Sequence, residues 1–166
     1  MTASTCEERQ WLLRMIAAGL HEYLSTTDPP VMVEDLLMHP PEVYADDFGI
    51  VDIFSQIWDA SFVRPMNRKG SVFVRVDLPQ EARNFALARE TLLALLSGKF
   101  GRKLGLHDVL LPYISDSADY FAMALLAPEA LVKSYSSRNG TREAFAGDFC
   151  LPEKAAAVRW NEVAGE

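Results

Sequence analysis

The chain has 166 residues, the size of one ordinary domain and enough to bury about two-thirds of its unfolded surface without disulfide or metal staples. A hydrophobic share of 49%, a charged share of 23% and nine residues each of Gly and Pro exclude collagenous, low-complexity and disordered classes. With 16 Lys+Arg against 23 Asp+Glu the net charge is -7, which repels a polyanion at long range and argues against nucleic acid as a partner.

The first apolar stretch, residues 11–20, is broken by Arg14 and preceded by Glu7 and Glu8 instead of a basic segment, so it does not read as a secretory signal. No run approaches the roughly 18 apolar residues of a membrane span. A cytoplasmic protein with no membrane partner is the expectation. Cys6 and Cys150 are too few and too distant for a disulfide framework or zinc ribbon, and reduced thiols are expected.

Residues 7–24 carry apolar side chains at three- and four-residue steps (Leu12, Ile16, Leu20, Tyr23), which predicts an amphipathic helix. Asp28 before Pro29 and Pro30 predicts the start of a second, short helix, ended by His39, Pro40 and Pro41. Residues 42–69 have no clear period. Asn67 to Gly70 is a turn cluster, and the alternation from Ser71 to Asp77 predicts a strand. A longer third helix is predicted from Pro79 or Gln80 to Ser97, with Gly98 as its cap and a broad apolar face that makes it central. Residues 99–105 read as a basic loop, residues 116–126 as a fourth helix, and residues 134–140 as a polar loop. Two amphipathic segments, 142–149 and 152–163, predict a helix-turn-helix-like tail. A single domain follows, with an N-terminal helix (1–27), a core (28–133) and the tail (141–166).

His21, His39 and His107 are scattered, with no pair at metal-binding helical spacing. No glycine run has phosphate-loop spacing, and no serine or cysteine sits in a nucleophile elbow. What stands out is the third helix, where Arg89 and Glu90 interrupt the apolar run from Phe85 to Leu93. Such an arginine either packs its stem and sends its head to solvent, or is buried against a carboxylate.

The order strand, Phe85-Ala86-Leu87-Ala88-Arg89-Glu90-Thr91-Leu92-Leu93, then Ser117-Ala118-Asp119-Tyr120-Phe121-Ala122-Met123-Ala124-Leu125-Leu126-Ala127-Pro128 resembles the ImmA/IrrE-like zinc metallopeptidase family. The residues from Glu143 to Trp160 resemble that family's closing helical pair. The resemblance implies an α+β, zincin-like fold: a small, mostly antiparallel sheet covered by the third and fourth helices, with the C-terminal pair packed around them. In active members a His-Glu-x-x-His helix and a later glutamate hold zinc, while the first helix's glutamate is the general base. Mapped here, the ligand positions hold Arg89, Leu93 and Ser117, with Asp116 beside the last, and only Glu90 survives. A cation, a hydrocarbon and a hydroxyl do not hold zinc.

The resemblance therefore implies a degenerate member with no zinc, no other cofactor and no catalytic residues, the vestigial site being Arg89, Glu90, Leu93, Asp116 and Ser117. Arg89 is expected either to replace the metal's charge between Glu90 and Asp116 or to point to water. The function implied is a regulatory module binding a protein partner, such as a helix-turn-helix transcriptional repressor. Two alternatives stand beside it: a residual metal-dependent peptidase using Glu90, Asp116, Asp119 and His107, and DNA binding through Lys154 and Arg159 of the tail.

Overall fold

A computed structural model describes residues 5–165. Helix α1 (Cys6–Leu24) opens at Thr5, whose hydroxyl accepts the Glu8 N–H while the Glu8 carboxylate takes the Thr5 N–H. This reciprocal cap satisfies two of the donors that a helix start leaves unpaired. Helix α2 (Val33–Met38) is followed by a 3-10 turn (Glu42–Tyr44) and strands β1 (Ile50–Ile53), β2 (Ala60–Val63) and β3 (Ser71–Arg75). The helices α3 (Gln80–Ser97), α4 (Lys99–Lys103), α5 (Leu106–Leu110), α6 (Ile114–Leu126), α7 (Glu129–Ser137), α8 (Arg142–Asp148) and α9 (Glu153–Val163) complete the α+β chain.

The sheet is mixed, not mostly antiparallel. Its order is β1-β3-β2, with β1 parallel and β2 antiparallel to the central β3. Strand β3 alternates so that Val72 and Val74 are buried while Ser71, Phe73 and Arg75 turn outward. Helix α3 packs on the sheet through this buried face. Helix α6 does not cover the sheet as expected; it lies between α3 and α1, burying Ala118, Phe121, Ala122, Leu125 and Leu126. Leu13, Ala17 and Leu20 of α1 join the same hydrophobic cluster. The first helix is thus part of the core.

Helix α2 begins at Val33 rather than at the expected Asp28 signal. The Asp28 carboxylate pairs with Arg138 instead, at 3.1 Å. The first-turn donor of α2 is satisfied from a distance: Asn84 of α3 is buried, accepts the Val33 N–H at 3.0 Å and donates to the Val31 carbonyl at 2.9 Å. Residues 99–105, read as a loop, contain helix α4. Gly98 serves both as the end of α3 and as the cap of α4 with φ -69°, not as a left-handed cap. A side chain there would meet the Asp47 carboxylate. Helix α7 extends to Ser137, through the first part of the predicted polar loop.

The C-terminal pair α8 and α9 packs as expected, Phe145, Phe149 and Trp160 gathering around Tyr135 of α7. A polar chain ties it to the rest. Arg14 donates to the Tyr120 hydroxyl at 2.8 Å, Tyr120 donates to Glu162 at 2.6 Å, and Arg159 pairs with the other Glu162 oxygen at 2.7 Å. α1, α6 and α9 meet at these groups, of which Arg159 and Tyr120 are buried, Arg14 is half-buried and Glu162 reaches solvent.

Candidate functional site

Helix α3 buries Leu87, Ala88, Thr91, Leu92 and Leu95, which fixes its rotation. Ala82, Phe85, Ala86, Arg89 and Glu90 then fall on one flank, at helical three- and four-residue steps. That flank lines a cleft of about 320 Å³ together with Trp58, Asp59 and Ala60 at the start of β2 and with Pro152.

Glu90 is the chemically distinctive group in this cleft. Its Oε2 accepts the Phe62 backbone N–H at 2.7 Å. Burial pushes the carboxyl up from its ordinary value, and the Phe62 N–H and the Arg89 charge offset this only in part. The bond also reveals the phase of the sheet ladder. Asp59 accepts from Arg75 N–H at 2.8 Å, so Asp59, Ser61 and Val63 point their backbone groups at β3, whereas those of Ala60 and Phe62 point away from it, off the sheet edge.

Arg89 does not bridge Glu90 and Asp116. Its Nε lies 2.6 Å from Asp119 Oδ1 of α6, in a pair whose side chains are 37% and 50% exposed. The reading in which Arg89 stands in for a metal between Glu90 and Asp116 is therefore corrected. Helix α6 is rotated so that Asp116 and Ser117 line a separate small cavity against α1, with Cys6, Arg9 and Tyr120. Leu93 is half-buried next along the α3 flank. Of the five positions to which the resemblance points, the cleft holds only Arg89 and Glu90.

The donors of the alternative metal site are likewise dispersed. His107 sits on α5, 3.7 Å from exposed Asp108, and Asp119 is engaged with Arg89. Among the described residues, no group of three or more His, Cys, Asp or Glu side chains is placed to hold a metal ion. The donor set at the mapped ligand positions does not suit zinc, since none of its three members offers a deprotonated N, O or S ligand.

The tail does not present Arg159 to a partner. Arg159 is 2% exposed, donating to the Ala127 carbonyl at 2.9 Å and to Glu162. Only Lys154 of the two expected cations faces solvent. Among the described residues no helix is long and apolar enough to cross a membrane.

A wider depression of about 790 Å³ lies where residues 28–30 meet α7 and α8. Arg138 pairs there with Asp28, and the Tyr135 hydroxyl donates to Asp148, which is exposed. The β2–α3 cleft is smaller but holds a half-buried carboxylate, and it is the stronger candidate. Phe62, Trp58 and Asp59 belong to the stretch with no readable period. The only local signal there is the short aromatic and β-branched pair Phe62-Val63.

No protein-family model matches the chain, and no curated protein matches its sequence.

Proposed function

We propose that the chain is a non-catalytic binding or regulatory module on a peptidase-like scaffold, and that the β2–α3 cleft receives a protein partner. The observation that carries this reading is the state of Glu90, the residue at the general-base position. Its carboxylate accepts the Phe62 N–H, and the neighbouring ligand positions are a guanidinium and a hydrocarbon, so no metal-bound water stands beside it to be activated. Strand β2 is an edge strand whose Ala60 backbone groups face outward, the arrangement onto which an extended segment of another protein adds by main-chain hydrogen bonds. A helix-turn-helix repressor is the partner class to which the resemblance points.

The experiment is elemental analysis of full-length protein purified without a metal-affinity column, combined with repressor binding and cleavage assays. The expected outcome is substoichiometric zinc and no proteolysis, with saturable binding. Stoichiometric zinc together with chelator-sensitive cleavage overturns the reading and restores a peptidase.

A further inference from the structure

The cleft also carries information about which partner residue it accepts. Glu90 has no ion-pair partner among the described residues; the Arg89 charge acts on its carboxylate from the same cleft wall, but the Arg89 Nε pairs with Asp119. Oε2 of the carboxylate holds the Phe62 N–H, while Oε1 accepts from no protein donor among the described residues. Of the charged residues that line the cleft, Asp59 and Glu90 are acidic and Arg89 is basic. Asp59 pairs with Arg75 at 3.1 Å and Arg89 with Asp119 at 2.6 Å, which leaves Glu90 as the carboxylate of this lining with no ion pair among the described residues. Besides Asp59 and Arg89, the lining carries the apolar surfaces of Trp58, Phe85, Ala86 and Pro152. Such a slot takes a methylene stem along its sides and a positive head at its floor.

We propose that the cleft is a lysine-recognition site: a lysine side chain from an extended peptide segment lies between Trp58 and Phe85 and places its ammonium on Glu90 Oε1. A lone oxygen acceptor suits a compact ammonium with three freely rotating donors better than a planar guanidinium, whose advantage is bidentate pairing. The slot of about 320 Å³ has room for one such side chain. This assignment rests on the cleft being a docking surface, as proposed above, and adds the partner's chemistry to it.

The test uses amide NMR of the full chain titrated with the blocked pentapeptide acetyl-Val-Thr-Lys-Thr-Val-amide and its norleucine counterpart. The Phe62 amide, bonded to Glu90, is the reporter. The lysine peptide is expected to shift the Phe62 and Ala60 amides saturably and to bind at least about tenfold tighter than the norleucine peptide, the ratio typical of one charge-assisted bond. Glu90→Gln keeps an acceptor for Phe62 and is expected to reduce the lysine peptide to the norleucine level. Asp116→Asn, the same charge change in the cavity against α1, is expected to leave binding unchanged. Equal binding of the two peptides at the cleft overturns lysine recognition while leaving a docking surface in place. If neither peptide perturbs a cleft amide, both the assignment and the docking reading fall.

Discussion

Arg89 and Arg159 each follow a helical apolar pattern, yet their surroundings give them opposite weights. Arg89 and Asp119 are both substantially exposed, so solvent screens their attraction, and Arg89→Ala is expected to cost less than about 1 kcal/mol. Arg159 is enclosed, and removing it leaves the buried Ala127 carbonyl without its donor and the space of its stem unfilled, while the partly exposed Glu162 keeps the Tyr120 hydroxyl and turns its other oxygen to water. Arg159→Ala is expected to cost about 2–3 kcal/mol, from the unsatisfied carbonyl and the lost packing. Urea unfolding of both variants checks the contrast; equal losses would show that the two environments are misjudged. Glu90 adds a pH signature at the same scale. Its carboxyl titrates higher in the fold than in the unfolded chain, so the folded state binds the proton more tightly. Its contribution favours the fold below the ordinary carboxylate value and is lost as pH rises through the raised one. Glu90→Gln, neutral at every pH, is accordingly expected to gain stability relative to the native protein as pH rises across that interval. A melting difference that runs the other way would contradict the burial of this group.

At the scale of elements, helix α1 shares one hydrophobic core with the helices that follow it. Helix α1 covers α6, buries Leu13, Ala17 and Leu20, and donates from Arg14 to Tyr120. Without it the buried stripe of α6, including Phe121 and Leu125, would face water on one side. A fragment of residues 28–166 is expected to lose cooperative thermal unfolding and to bind a hydrophobic dye, while the full chain melts sharply and does not. A fragment that melts like the whole protein would return α1 to the status of an appendage. The long helices α3 and α6 were readable because each repeats its apolar residues over three or more turns. Helix α2 starts later than Asp28 predicts because the side chain that caps it, Asn84, is some fifty positions away in sequence. Strands β1 and β2, four residues each, are shorter than any pattern that alternation can distinguish from a loop.

For the whole molecule, the sequence by itself determined the α+β class, the central place of α3, the paired helices at the C-terminus and the acidic balance. These rest on composition and on periodicities contained within a single helix or strand, where backbone geometry alone decides which side chains share a face. The tertiary structure decided the rest. It set the mixed strand order, gave Glu90 its partner on β2, turned Asp119 toward Arg89 while carrying Asp116 and Ser117 to the other side, and enclosed Arg159. The reason is rotational: a helix's own sequence says which residues lie together, but the orientation of that face is fixed only when the neighbours compete for it. For α6 those neighbours are α1 and α3, and their packing selects which of two nearby carboxylates meets the arginine.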